Sequence, residues 1–419
     1  ALLESGDITE DQIDLSVRRI LKLKFDLGLF DDPFKYSNIE REKATLRTDE
    51  HLAVSLDVAR KSIVLLKNEN DMLPLKSGVK SIAVIGPLAK DKDAPIGNWR
   101  GQGESNSAIS FFEGLEASLD NVTINYAEGC ELSIGPNMFH LPVVIEEEDR
   151  SGFGEAIAAA KKSEVVFMVL GEPAHMSGEA RSRAEIGLPG LQLDLLKEVY
   201  AVNKNIVLVL MNGRPLTLEW EDQNIPTILE TWHLGSMAGQ AIADVITGKY
   251  NPSGKLTMSF PRKVGQLPIY YNKRITGRPE SDLIFKESHM DVDRSPLYPF
   301  GHGLSYTEFT ISKPTLVTSG REVSVEVTVQ NTGDSKGKET VQVYVQDMVA
   351  SISRSNKELK RFKQVELESG ESKKISITLS EEAFSFYNHS GELVFEPGDF
   401  KILVGNSSAN LQEALINLN

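Results

Sequence analysis

Four short runs of almost unbroken apolar residues, at 82–85, 165–170, 206–211 and 227–229, constrain this chain more than any other feature. A strand with one wet face alternates apolar and polar side chains. A strand covered by helices on both faces has no need to, and reads as a continuous Val/Ile/Leu block. Helical patterns fall between the runs, at 154–162, 190–201 and 236–247, the last closed by Gly248. The alternation predicts an α/β domain built on a largely parallel sheet, extending over about 49–261 and ending in a final strand at 255–260.

Beyond residue 305 the period changes to two. Val323, Val325, Val327 and Val329 alternate with polar residues, as do Val341, Val343 and Val345, then Ile375, Ile377 and Leu379, then Phe400, Ile402 and Val404. Short alternating strands separated by turns predict an all-β sandwich of immunoglobulin or fibronectin type III character over 308–419. Residues 262–307 between the domains are rich in Pro, Gly and Tyr, with Leu267-Pro268-Ile269-Tyr270-Tyr271 and the segment 298–303 as anchors. A stretch this long without its own elements is normally fastened across its neighbours, or is functional. At the other end, Thr9 and Gln12 form a capping box that opens a helix with Ile13, Val17, Ile20 and Leu21 on one face and Gly28 at its close. Residues 29–48 then read as an irregular polar linker.

Composition removes several classes of function. A net charge of -15 opposes a nucleic-acid partner, because a polyanion needs clustered Lys and Arg. No apolar run has the roughly 18 residues of a membrane span, and Cys130, the single cysteine, excludes an intrachain disulfide. No Cys/His spacing suits zinc and no Asp-rich loop suits calcium, so neither metal nor cofactor is expected. Gly86-Pro87 after an apolar run suggests a phosphate turn, but the Gly-rich dinucleotide fingerprint is absent.

The richest polar cluster lies at 171–185, directly after the run 165–170, and contains Glu172, His175, Ser177, Glu179, Arg181, Arg183 and Glu185. Loops leaving the carboxyl ends of parallel strands are the usual place for ligands in such sheets. A solvated surface loop would have the same composition, and spacing alone does not separate the two. Trp99, in Asn98-Trp99-Arg100-Gly101-Gln102-Gly103, lies on a Gly-rich loop and could serve a ligand face, although a packed loop tryptophan is the commoner case. Trp232 and His233 are expected to pack under the sheet edge, and His302 to serve a turn.

The segments SGEARSRAEIGLPG (177–190), MNGRPL (211–216), ETWHLGSMAGQAIADVITGKYNPSGKLTMSFP (230–261) and YPFGHGLSYTEF (298–309) together resemble the bacterial β-glucosidases of glycoside hydrolase family 3, in family order along nearly the whole chain. The resemblance implies an N-terminal (β/α)8 barrel followed by an α/β sandwich and a fibronectin type III-like domain. VRRILKLKFDLGLFDDP (17–33) looks like the end of the barrel region, which makes 1–48 its tail and linker. Also implied is a retaining β-glycosidase, most simply an exo-β-glucosidase, acting on oligosaccharides or glucosides in the periplasm or outside the cell. A β-xylosidase and a non-catalytic glycan- or protein-binding module are the alternatives. Glu179 matches the family's acid/base, with Glu172 and Glu185 as the other choices, and Ser177, Arg183 and Trp99 are candidate substrate contacts. The nucleophile is expected on the barrel, outside this chain, leaving Glu179 solvated and the chain inactive alone.

Overall fold

The computed structural model describes residues 1–136, 138, 140–274 and 289–419. Part of the predicted 262–307 linker, residues 275–288, lies outside the described residues. The contact pattern divides the chain into Ala1–Val54 and Ser55–Asn419.

In the first unit α1 spans Glu10–Asp26 and opens with the expected box: Thr9 Oγ1 accepts from Gln12 N at 3.3 Å and Gln12 Oε1 accepts from Thr9 N at 2.8 Å. No residue of α1 is buried. The segment read as an irregular linker contains a second helix, α2 (Ile39–Thr45). Asn38 caps it by accepting from Arg41 N, and Glu40 and Glu42 sit in its first turn. That cap and the acidic first turn were the signal for this helix.

Helix α3 (Asp49–Ser62) leads to β1 (Val64–Asn68) and β2 (Ser81–Ile85), then α4 (Phe111–Glu116), β3 (Thr123–Ala127) and the short pair β4 (Ser133–Ile134) and β5 (Val144–Ile145). The domain continues through α5 (Phe153–Lys161), β6 (Val165–Gly171), α6 (Gln192–Val202), β7 (Ile206–Met211), α7 (Glu219–Asn224), β8 (Thr227–Glu230) and α8 (Ala238–Ile246). Its six-stranded sheet has the order β1-β8-β7-β6-β2-β3, parallel except for β1. The apolar runs behave as double-faced strands. Val166, Met168 and Leu170 enter a core with Ala156 and Ala160 of α5 and Leu195, Leu196 and Val199 of α6. Phe167 and Val169 enter a second core with Phe111 and Leu115 of α4 and Ile242 and Val245 of α8.

Strands β1 and β3 were not predicted, though the apolar run 63–66 was a readable signal for β1. The strand predicted at 255–260 does not form. Its backbone pairs with that of 297–302 only at the two ends, where Leu256 N donates to His302 O and Phe260 N to Tyr298 O, both at 2.8 Å. Two separated pairings do not make a ladder.

The C-terminal region is the expected sandwich. One sheet has β10 (Thr315–Ser319), β11 (Glu322–Asn331) and β14 (Ser372–Leu379), with β9 (Phe309–Ile311) added to β11. The other has the order β13 (Glu358–Leu367), β12 (Gly337–Asp347), β17 (Gly398–Gly405), β18 (Leu411–Leu418). The small pair β15 (Phe386–Tyr387) and β16 (Leu393–Val394) lies outside both. The alternating valines face one core with Phe384, Phe400 and Ile402. Segment 298–303 joins the two domains: Gly301 N donates to Leu256 O at 2.7 Å, while Gly301 O accepts from Gln342 Nε2 at 3.1 Å. Tyr271 stacks on Phe300 with ring centroids 4.1 Å apart. His302 donates to Leu66 O at 2.9 Å, so its turn is tied to β1.

Glu230 ends β8 with no exposed surface. One oxygen accepts from Trp232 N at 2.9 Å and the other from Asn212 Nδ2 at 3.1 Å. Burial pushes its carboxyl up to about 8, against the lowering effect of those two donors. A folded pKa above the unfolded one means that this group's stabilising contribution is complete below the unfolded pKa and is lost as pH rises through about 8. Burial drives His233 to about 4, the opposite case, with a contribution lost as pH falls through that value and complete above the ordinary histidine pKa of 6.5. Between pH 6.5 and 8 only the glutamate of this pair changes. Urea unfolding across that window should show Glu230→Gln losing less stability than the wild type, the slope differing by up to about 1.4 kcal/mol per pH unit. Parallel pH dependence in the two proteins would remove Glu230 from the account.

Candidate active site

Strand β6 occupies an interior position in the parallel sheet, and the 171–185 loop leaves its carboxyl end. The loop begins at Gly171, where φ is 146° and a Cβ would stand 2.0 Å from Met211 O on β7. Only glycine fits such an approach. It also lets the chain turn Glu172 inward.

Glu172 is fully buried. Arg183 Nη1 donates to its Oε1 at 2.7 Å, and Arg214 Nε lies 2.9 and 3.1 Å from its two oxygens. A carboxylate enclosed in this way cannot reach a substrate, which argues against it as a proton donor to one. Arg183 is directed into the same clasp, with Nη2 on Gly187 O at 3.0 Å. Arg214 does more. Its Nη2 donates to Met176 O and, at 2.9 Å, to Arg181 O, gripping the loop on both sides of Glu179.

Between those grips the chain makes a tight turn. Arg181 N donates to Gly178 O at 3.3 Å, so Glu179 and Ala180 are its central residues. Ala180 has φ 56°, the left-handed geometry usually given to glycine at this turn position. Glu179 is exposed at the apex, as expected of a solvated carboxylate. Arg181 Nη2 donates to Leu141 O at 2.8 Å, bringing Leu141 beside the turn.

Gly178 has φ 106°, and a Cβ there would stand 2.2 Å from Asn98 Nδ2 and 3.2 Å from Trp99 Nε1. The 93–100 segment therefore lies directly against the turn. Trp99 is 69% exposed, against the commoner packed case, and its indole edge is beside the residue preceding Glu179. Ser177 is buried: its carbonyl accepts from Asn98 Nδ2 at 2.7 Å and its hydroxyl abuts Gly213. Glu185 is exposed further along the loop. Trp232 packs at 6.0 Å from Phe260, and His233 buries both ring nitrogens beside Gly97 and Gly213. Asn98, Arg100 and Arg214 were not assigned roles from sequence. Apart from Asp93, 7 residues from Arg100, their side-chain contacts reach groups 33 to 79 residues away, and no local pattern encodes such pairings.

Chemically, the arrangement presents one accessible carboxyl on an immobilised turn next to an exposed aromatic edge. It can exchange a proton with a bound sugar while an indole covers part of that sugar. Replacing Glu172 by Gln leaves two guanidinium groups facing a neutral amide, and should cost about 3 kcal/mol in urea unfolding. A loss below about 0.5 kcal/mol, the ordinary scale of a surface change, would show that the clasp does not matter.

Residues 63–306 match the family model of the glycosyl hydrolase family 3 C-terminal domain, and residues 339–408 match that of a fibronectin type III-like domain. A periplasmic beta-glucosidase of Salmonella typhimurium is 40% identical over 436 aligned residues, covering 100% of this chain and 57% of that protein. A beta-xylosidase of Formosa agariphila is 41% identical, covering 94% of this chain and 54% of its own length. The crystal structure of a beta-glucosidase from Listeria innocua in complex with isofagomine superposes with a TM-score of 0.87 at 39% identity, over 100% of this chain and 57% of that one. The chain thus spans a little over half the length of these relatives. With the domain order, the family motifs and these matches in agreement, the chain belongs to glycoside hydrolase family 3.

Proposed function

We propose that the protein acts as a retaining exo-β-glycosidase, with terminal β-linked glucose as its first substrate and Glu179 as general acid and base. The observation that carries the reading is the placement of Glu179: of the three loop glutamates, it alone is exposed at the apex of a turn that Arg214 holds from both sides. The nucleophile is an aspartate in the part of the relatives' length that this chain does not span. Two carboxyls of a retaining enzyme stand about 5–5.5 Å apart. The aspartate attacks the anomeric carbon while Glu179 gives its proton to the departing oxygen. Glu179 then takes a proton from the water that releases the sugar. Trp99 covers the sugar, and Ser177 and Arg183 stay behind the turn as its supports, a change from the direct contacts expected of them. The glucose preference and a periplasmic location follow the name of the Salmonella relative, and the Formosa relative makes a β-xyloside the second substrate to assay.

In the full-length protein, Glu179→Gln should lower kcat on a phenyl β-glucoside by about 10²-fold or more, the range of general acid–base catalysis. Hydrolysis of a dinitrophenyl β-glucoside, whose leaving group departs without a proton, should suffer far less in its first step. Equal turnover of the phenyl substrate by variant and wild type would defeat the assignment, and faster turnover of the xyloside would change the sugar.

A further inference from the structure

A chain of polar contacts connects the loop that carries Trp99 to the turn that carries Glu179. Asp93 receives two guanidinium nitrogens of Arg100, the longer contact at 2.8 Å. Arg100 Nη2 lies 2.9 Å from His175 Nε2, His175 Nδ1 lies 2.8 Å from Asn98 Oδ1, and Asn98 Nδ2 donates to Ser177 O at 2.7 Å. The directions follow from the groups themselves. A guanidinium only donates, so His175 Nε2 accepts; the proton of the neutral ring is then on Nδ1, which donates to Asn98 Oδ1. The Asn98 amide is consequently oriented with its NH₂ on the Ser177 carbonyl. Every member has one consistent role, and only the neutral Nδ1–H imidazole permits it.

We infer that His175, as the neutral Nδ1–H tautomer, is a positioning residue that ties the Trp99 loop to the Glu179 turn and releases it when protonated. The inference rests on Glu179 being the acid/base. Asn98 Nδ2 packs beneath Gly178, the residue before Glu179, and Trp99 Nε1 lies against the same glycine. If the imidazole lets go of Asn98, the amide that fixes Ser177 and Gly178 can rotate, and carboxyl and indole lose their shared register. Protonation would place an N–H opposite the Arg100 N–H and a cation beside a guanidinium. The charged groups facing His175 are Arg100 and Asp93 from the 93–100 segment and Arg181 from its own loop. Burial, then the Arg100 charge, holds its pKa below the ordinary histidine value; Asp93 opposes this and Arg181 adds to it. The Arg100–His175 contact therefore persists at neutral pH and fails in acid, and the ring displaced from the guanidinium loses its hold on Asn98.

The test uses the full-length protein with His175→Leu, His175→Gln, Asn98→Ala and Glu179→Gln, each assayed on phenyl and dinitrophenyl β-glucosides. Leucine removes the link. Glutamine can accept from Arg100 and donate to Asn98 without titrating. His175→Leu should lower kcat and kcat/KM on the phenyl substrate about tenfold, a fraction of the full general-acid contribution, and leave kcat/KM on the dinitrophenyl substrate, which reports the first step alone, within about twofold. Asn98→Ala should match it, with the double variant no worse than either single change, as expected for members of one chain of contacts. His175→Gln should restore kcat and give a shallower acid limb in kcat/KM than the wild type. Loss on the phenyl substrate in Glu179→Gln, with His175→Leu equal to wild type on both, would overturn the inference and leave the function intact. An equal fall in kcat/KM on both substrates would make His175 merely structural and also overturn it. Glu179→Gln as active as wild type would instead defeat the catalytic reading. Should the leucine variant not fold, imidazole ¹⁵N shifts of this chain near neutral pH decide the matter: a single Nδ1–H tautomer supports the inference and Nε2–H overturns it.

Discussion

A carboxylate with no access to water, Glu172, organises the loop above the parallel sheet. Its two arginine partners make the site depend on the domain interior. Arg214 is oriented by Glu172 and, once oriented, points its remaining donors at the carbonyls of residues 176 and 181. An isolated charge at that depth would be far too costly; a carboxylate bracketed by two guanidiniums and a backbone N–H is tolerable and directional. Directionality is what the loop needs. A turn held at both ends by one planar cation has little freedom to move its apex.

Two glutamates seven residues apart on one loop thus have opposite environments. Glu172 is inside and gives its charge to structure; Glu179 is outside, with its carboxyl available. The division originates at Gly171, whose backbone lets β6 end against β7 and send the next side chain inward. The positive-φ pair Gly178 and Ala180 then turns Glu179 outward. The 93–100 segment lies against the same turn through Asn98, so an aromatic edge and a carboxyl are presented together.

The region between the domains obeys a related logic. Residues 298–303 have no ladder of their own, yet their backbone groups pair with both neighbours, Leu256 and Phe260 on the α/β side and Gln342 and Ser408 on the sandwich side, while the His302 ring donates to Leu66 O. Its Pro, Gly and aromatic composition marked it as a fastened stretch, and the failure of 255–260 to become a strand is part of the same arrangement, since its potential partner is shared between two domains.

Pattern in the chain was enough to determine the two architectures, because burial dictates it: strands covered on both faces have no polar alternation, and strands of a sandwich must alternate. The runs at 165–170 and 206–211 and the valines at 323–329 could hardly have folded otherwise. The capping box at Thr9 and the position of the polar loop were equally legible, and the motifs around it pointed to the family. Tertiary structure alone decided which glutamate faces solvent, that Arg183 turns inward, that Trp99 stands exposed, and that His175 meets Arg100 and Asn98. Those outcomes depend on partners brought together from 4 to 79 residues apart, where a hydrogen bond needs placement within tenths of an ångström and no local periodicity carries that information.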